Sequence, residues 1–337
     1  MRRGEHPANG SGPGVTNLPT VGLGPGRAKA TPMTMSLASV EQKDVRGTPR
    51  PLIELRDLVK RYDGKTVLDG VNLKVERGET VVVIGGSGCG KTTLARLIVG
   101  LERPTSGSIY LEGVELTALG DDALASMRGR FAMVFQKAAL LDSMTVFDNV
   151  AFPLREETDL GEEAIHERVF VQLRELGIEH AVRKLPAELS GGMAKRVGIA
   201  RAMVTEPEIL VYDEPTSGLD PISSRVVDGL IEQMRERFFV TSVVITHDMV
   251  TAYEIADRVL LLSRGTIVAE GPPEQVFRSH SEDIHPFALS SGVDLEKLAP
   301  RAARKAPAEI RAQWIAAHPP PGRDERPWYL RWRKRAT

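Results

Sequence analysis

Three stretches of this 337-residue chain place residues at spacings suited to phosphate chemistry. The first is GGSGCGKT, Gly85 to Thr92, which satisfies the pattern G-x-x-x-x-G-K-[ST] in full. It follows the apolar run TVVVI and precedes the helical pattern KTTLARLIVGL, the context such a loop requires. Backbone N–H groups from Gly85, Gly86, Ser87, Gly88, Cys89 and Gly90 can wrap phosphates. Lys91 can reach the outer phosphates, Thr92 can hold Mg²⁺, and Thr93 stands beside it on the helix. The second stretch is ILVYDEP, Ile209 to Pro215. An apolar strand delivers Asp213 to its C-terminal end, where it can assist Mg²⁺, and Glu214 follows at once. A carboxylate beside the metal aspartate is placed to take a proton from attacking water, which favours hydrolysis over transfer to a second substrate. The third is ELSGGMAKRVGIARA, residues 188–202. Ser190 reads as a helix N-cap, and Met193, Val197, Ala200 and Val204 recur at helical spacing. A serine followed by Gly191 and Gly192 at a helix N-terminus is itself an anion site. The chain therefore carries two phosphate-binding features a hundred residues apart.

Three further residues fit this chemistry less specifically. His247, in VVITHD, follows another apolar strand and can reach a terminal phosphate if that strand lies in the same sheet; alone it reads as structural. Gln136, in MVFQKAA, stands where a strand hands over to a helical region, and its amide suits water or Mg²⁺ as well as an ordinary polar surface. Tyr62 precedes the glycine loop and either stacks on a base or packs as a common aromatic.

The elements that must position these residues read as an α/β fold of the P-loop NTPase type. TVVVI, EILVYD and TSVVITH are short, fully apolar, β-rich runs separated by helical segments such as SSRVVDGLIEQMRERF, the pattern of a mostly parallel sheet covered on both faces. LIELRDLV and TVLDGVNLKV, joined at Asp63-Gly64, predict an antiparallel β subdomain, and RVLLLSRGTIVAEG predicts a closing hairpin. Residues 138–190 predict a helical subdomain. The domain reading is a disordered leader over 1–50, where Gly and Pro make up 14 of 50 residues, an ATPase body over 51–280, and an extension over 281–337. That extension holds all three tryptophans, Trp314, Trp328 and Trp332, and the basic end WYLRWRKRAT, which suits either anionic headgroups or a solvated tail.

A net charge of −1 conceals an asymmetry. Residues 51–300 carry 27 Lys+Arg against 39 Asp+Glu, whereas residues 1–50 are +4 and residues 301–337 are +7. An acidic body argues against nucleic acid as a partner. Cys89 is the single cysteine, so no intrachain disulfide forms. No apolar run reaches the ~18 residues that span a bilayer. The expectation is a soluble chain, with any membrane span supplied by another subunit.

In order, Tyr62, GGSGCGKT, Gln136, LSGGM, ILVYDE, SGLD and His247 resemble the nucleotide-binding subunit of an ABC transporter, over residues 52 to about 280. The resemblance implies ATP and Mg²⁺ as ligands and a homodimer in the ATP-bound state. In it, Ser190, Gly191 and Gly192 of one copy bind the γ-phosphate held by the glycine loop of the other. Asp220, in SGLD, would link the two sites across the interface. The resemblance also implies a dimeric integral permease whose coupling helix reaches the Gln136 region, and a peripheral position on the cytoplasmic face of the inner membrane. FQKAALLDSMTVFDNVAFPLRE and the Met193 of LSGGM are similar to the ATPases of MCE-type phospholipid transport systems, which implies an MCE-domain partner. The competing reading is the ATPase of a small-solute importer, for example for amino acids. A soluble ABC ATPase acting on DNA or ribosomes is disfavoured by the single cassette, the absence of a heptad run and the acidic body. A non-hydrolysing regulator is disfavoured because Lys91, Asp213, Glu214 and His247 are all present.

Overall fold

The structure, a computed structural model, describes residues 50–278, residue 284 and residues 304–317. Expectations for the leader and for the end of the chain beyond residue 317 lie outside the described residues.

Strands β1 (Ile53–Tyr62) and β2 (Lys65–Val75) form the first antiparallel pair. Asp63 and Gly64 between them both take positive φ, 47° and 79°, the pattern of a two-residue hairpin turn. β4 (Ser106–Leu111) pairs with β1, and β5 (Val114–Glu115) with β4, giving a four-stranded antiparallel sheet.

The second sheet contains β3 (Thr80–Ile84), β6 (Phe131–Val134), β7 (Ile209–Asp213), β8 (Thr241–Ile245), β9 (Arg258–Ser263) and β10 (Thr266–Gly271). Its order is β10-β9-β3-β8-β7-β6, parallel throughout except for the β9–β10 hairpin at one edge. Successive residues of the central strands enter opposite cores. Val82, Ile84, Leu210, Tyr212 and Val244 pack in one, and Val81, Val83, Ile209, Val211, Val243 and Ile245 in the other. Two-sided burial explains why these strands read as continuous apolar runs rather than alternating ones.

Helix α1 (Lys91–Ile98) leaves the end of β3, and α2 (Asp121–Arg128) precedes β6. Between β6 and β7 the chain forms α3 (Val146–Glu157), α4 (Glu162–Glu175) and α5 (Gly191–Met203). Thr145 caps α3 and Ser190 caps α5, each hydroxyl accepting an N–H three residues on. Asp220 caps α6 (Pro221–Phe238), and Asp248 caps α7 (Met249–Ile255). Loss of such a cap typically costs about 1 kcal/mol.

A buried charge network ties the two sheets together. Arg130, ahead of β6, makes two bonds to Glu208, at 2.7 and 2.8 Å, and one to Glu112 of the antiparallel sheet at 2.6 Å. Arg77 donates to the same two glutamates. Burial alone would raise the Glu208 carboxyl, but the bonds and charges of Arg130 and Arg77 outweigh it and hold it low.

The chain continues through α8 (Pro273–Arg278), and a further helix, α9 (Pro307–Ala317), lies in the expected extension. The segment before α9 is fastened to α6. Arg235, fully buried on α6, donates to the Lys305 carbonyl at 3.0 Å; Lys305 pairs with Glu236 at 3.1 Å, and Arg304 with Glu232 and Asp257. Sequence patterning had not revealed this docking, because its contacts are ion pairs between distant segments.

Where α6 meets α7, Asp228 is 3% exposed and faces Arg225 at 3.1 Å and the Thr251 hydroxyl at 3.2 Å. Arg225 also pairs with Asp248 and Glu254. Burial, reinforced by these two carboxylates and only partly offset by Arg225 and Thr251, pushes the Asp228 carboxyl up to about 7. In the unfolded chain it ionises near pH 4. The stability this proton contributes is therefore complete below about pH 4 and lost as pH rises through about 7. Urea unfolding should show stability falling between about pH 4 and 7 with a component of about 1.4 kcal/mol per pH unit that vanishes above 7. Asp228→Asn should remove that component; an unchanged slope would contradict the assignment.

Candidate active site

The site forms at the C-terminal ends of β3, β7 and β8. Val83, Asp213 and Ile245 are register partners across these strands, so the three following loops start at one level. A cleft of about 1160 Å³ opens there. Gly85, Gly86, Ser87, Gly88, Gly90, Lys91, Thr92, Thr93, Gln136, Glu214 and His247 all line it.

The glycine loop is held close to its neighbours. At Gly85, φ is 158°, and a Cβ would lie 2.3 Å from the Leu262 carbonyl oxygen. At Gly90, φ is 110°, and a Cβ would meet Leu68 at 2.7 Å. Both positions therefore exclude a side chain. The buried Lys91 ammonium donates to the carbonyls of Gly85 at 2.8 Å and Gly86 at 3.0 Å, folding over the loop it serves. Cys89 stands apart from the main cleft, its Sγ packed beside Gly85, and burial raises its thiol.

The Thr92 hydroxyl donates to Asp213 Oδ1 at 3.1 Å, joining α1 to the end of β7. Burial raises the Asp213 carboxyl against the lowering effect of Thr92 and nearby cations. Glu214, 8% exposed, occupies the left-handed region at φ 52°. That conformation is costly for a non-glycine residue and persists where surrounding bonds enforce it. Its N–H donates to the Ile245 carbonyl at 2.8 Å, and its carbonyl accepts from Ser217 N–H at 3.2 Å and Lys195 Nζ at 3.0 Å. Its carboxylate Oε2 lies 2.7 Å from His247 Nδ1 and 3.4 Å from His247 N–H. The Gln136 amide nitrogen donates to Ser217 Oγ at 3.2 Å.

Tyr62 sits on β1 outside the cleft lining, with its hydroxyl donating to Glu102 and the Lys60 ammonium 4.8 Å from its ring centroid. Burial and the Glu102 contact raise its hydroxyl. Ser190, Gly191 and Gly192 also lie outside the cleft wall. Ser190 Oγ accepts from Met193 N–H at 3.3 Å, and both Ser190 and Gly191 are exposed. Asp220 is likewise absent from the lining; it accepts from Ile222 and Ser223 N–H groups at 3.0 Å each, and its bonds to Ser223 hold its carboxyl low.

Sequence reading missed Lys195 and Ser217. Ser217 opens the SGLD motif but has no role of its own in that reading. Lys195 carries a signal: it falls on the stripe completed by Ile199, Ala202 and Met203, all buried, where a charge is out of place.

A family model described as ABC transporter matches residues 68–217. The intermembrane phospholipid transport system ATP-binding protein MlaF of Haemophilus influenzae is 39% identical over 236 residues, covering 70% of this chain and 89% of that protein. The chain belongs to the ATP-binding proteins of ABC transporters. Its activity is ATP hydrolysis. MlaF of Escherichia coli K12 is 40% identical over 236 residues, covering 70% of this chain and 88% of that protein. The methionine import ATP-binding protein MetN of Brucella abortus is 42% identical over 237 residues, covering 70% of this chain but 64% of that protein. Among solved structures, a post-hydrolysis dimer of the ATP-binding cassette MJ0796 bound to ADP and Pi has a TM-score of 0.61 at 31% identity, covering 66% of this chain and 98% of that one. CbiO1 from Clostridium perfringens, part of the transporter complex cbiONQ, reaches 0.64 at 32% identity, covering 71% and 95%. These likenesses carry the ABC ATPase fold expected from the sequence.

Lys91→Ala in this cassette should weaken ATP binding by at least about tenfold, as expected for loss of a charged contact worth 1.5–3 kcal/mol. Fluorescent-nucleotide titration checks it, and unchanged affinity would count against Lys91 as a phosphate ligand.

Proposed function

We infer that this cassette energises phospholipid transport across a bacterial envelope, through a separate dimeric permease and an MCE-domain protein, from the cytoplasmic face of the inner membrane. The observation that carries the substrate class is coverage. The chain spans about nine-tenths of the MlaF proteins, whereas it spans under two thirds of MetN. Met193, part-buried in the first turn of α5 after the Ser190 cap, supports the same reading from the sequence. The MetN match, at slightly higher identity, keeps solute import as the second reading. Among the described residues no helix is long and apolar enough to cross a membrane, which agrees with a span supplied by the permease.

In the proposed mechanism the loop from Gly85 to Gly90 cradles the phosphates of ATP with its N–H groups, and Lys91 neutralises their charge. Tyr62 offers its ring to the adenine. The Thr92 hydroxyl and the Asp213 carboxylate, already in contact, are hard-oxygen donors that fit Mg²⁺, and Gln136 adds its amide oxygen. That ion would neutralise phosphate charge. Glu214 takes the proton of the attacking water. His247 Nδ1 orients the Glu214 carboxylate, leaving Nε2 as the ring atom for the γ-phosphate.

Within one chain, Ser190 and its glycines do not share the cleft wall with the phosphate loop. A second copy placed head to tail would bring them onto the γ-phosphate, as an isologous dimer permits, with Asp220 at the seam. The dimeric form of MJ0796 supports this arrangement. Ser190→Ala should therefore impair hydrolysis while leaving ATP affinity of the monomer within about threefold, because the lost contact belongs to the partner's site. A monomer that loses ATP binding would contradict the two-chain site.

Glu214→Gln should retain ATP binding, lose hydrolysis by roughly 10²–10⁴-fold, and trap the closed dimer. The trapped variant, recovered from detergent-solubilised membranes and analysed by mass spectrometry, tests the transport reading. Co-purification of a permease, an MCE-domain chain and phospholipid is the expected result. A permease with a solute-binding protein and no MCE chain would move the protein to the importer class.

A further inference from the structure

Helix α5 grips the segment after β6 at three places along one face. Lys195 Nζ donates to the Gln136 carbonyl. Gly198 approaches so closely that a Cβ there would lie 3.1 Å from Ala138 Cβ. Arg201 donates to the carbonyls of Ala138 and Ala139, each at 2.7 Å. Ala138 and Ala139 take φ of 57° and 47°, which turns their carbonyls toward these donors. The residues 195, 198 and 201 recur every three positions, so one helix face clamps one loop.

Of the three, Lys195 alone is seen to reach further. Its ammonium also donates to the Glu214 carbonyl at 3.0 Å, and its side chain is 5% exposed. Ser217 completes a ring, accepting from the Gln136 amide through Oγ and donating its N–H to the Glu214 carbonyl. A buried cation is expensive unless its donors are used. Burial pulls the Lys195 ammonium below the usual lysine range, with Glu214 and Asp213 partly restoring it.

We propose that Lys195 is a positioning residue for hydrolysis: by bonding the Gln136 and Glu214 carbonyls together, it makes the orientation of Glu214 depend on where α5 stands. This rests on the reading of Glu214 as the base. The bond acts on the peptide that holds Glu214 in its left-handed conformation, and so on the direction of its carboxylate. Misplacement of a base by a fraction of an ångström affects the chemical step more than nucleotide binding. The start of α5 bears Ser190, which the dimer reading places on the other nucleotide. Lys195 thereby reports engagement of the first turn of α5 to the base of its own chain.

The test uses the full-length chain and steady-state ATPase kinetics. Lys195→Met, similar in length but without donors, should lower kcat at least about tenfold with KM for ATP within about threefold. Lys195→Arg, which keeps a cation and its donors, should retain at least about a third of kcat. Arg201→Met loosens the same loop without touching Glu214 and should leave kcat within about threefold while lowering the thermal midpoint. Combined with Glu214→Gln, Lys195→Met should add no further loss, because both act through one group. If Lys195→Met does not fold at the assay temperature, Lys195→Gln carries the same expectation at smaller amplitude. A folded Lys195 variant with normal kcat overturns the proposal, as does a loss matched by Arg201→Met, or one expressed wholly in KM. An active Glu214→Gln would instead remove the base assignment itself, which separates the two failures.

Discussion

The structure depends on the register of three parallel strands. Because Val83, Asp213 and Ile245 lie side by side, the glycine loop, the turn at Glu214 and the loop at His247 all begin at the same edge of one sheet. Burial on both faces enforces that register. A slip of one residue would send Val82, Tyr212 and Val244 into the wrong core and bring their neighbours back the other way. The loops then leave the strand ends at one edge, where the glycine loop and the start of α1 favour an anion. The site lies at the edge of the core, and the core's packing sets its geometry.

Around that edge, polar groups that could serve ligands are held by one another. Lys91 bonds the carbonyls of its own loop, Thr92 bonds Asp213, and His247 bonds Glu214. Each contact keeps a chemically active group oriented in a low-dielectric setting where an unpartnered one would be costly. Glu214 adds a strained backbone to this list, stabilised through its own N–H and carbonyl. The helical region between β6 and β7 enters the site through backbone carbonyls at Gln136 and Glu214, both accepting from Lys195. A carbonyl contact transmits position without requiring a particular side chain on the acceptor, so the loop residues leave little trace of it.

The antiparallel sheet and the segment before α9 are attached differently. Both are fastened by ion pairs: Arg77 and Arg130 with Glu112 and Glu208 for the former, and Arg304 and Lys305 with Glu232, Asp257 and Glu236 for the latter. The buried pair among them, Arg130–Glu208, constrains geometry more surely than it stabilises it, since desolvation offsets much of its attraction. They orient peripheral elements against a body whose stability comes from its two apolar cores.

What the sequence by itself determined was whatever is encoded locally. The glycine loop, the Ser190 cap, the Asp63-Gly64 turn and the two-sided apolar strands all express backbone and burial preferences within a few residues, and each is legible there. The alignment of Lys91, Thr92, Glu214 and His247 on one cleft, with Asp213 bonded to Thr92 beside it, follows from the parallel order of the strands. Only the tertiary structure decided that Lys195 lies between Gln136 and Glu214, that Ser217 closes the ring, and that Arg235 is fully buried beside Lys305. The Lys195 and Arg235 contacts are made by single charged side chains to distant backbone atoms, and neither periodicity nor residue type names the carbonyl that a buried cation will find.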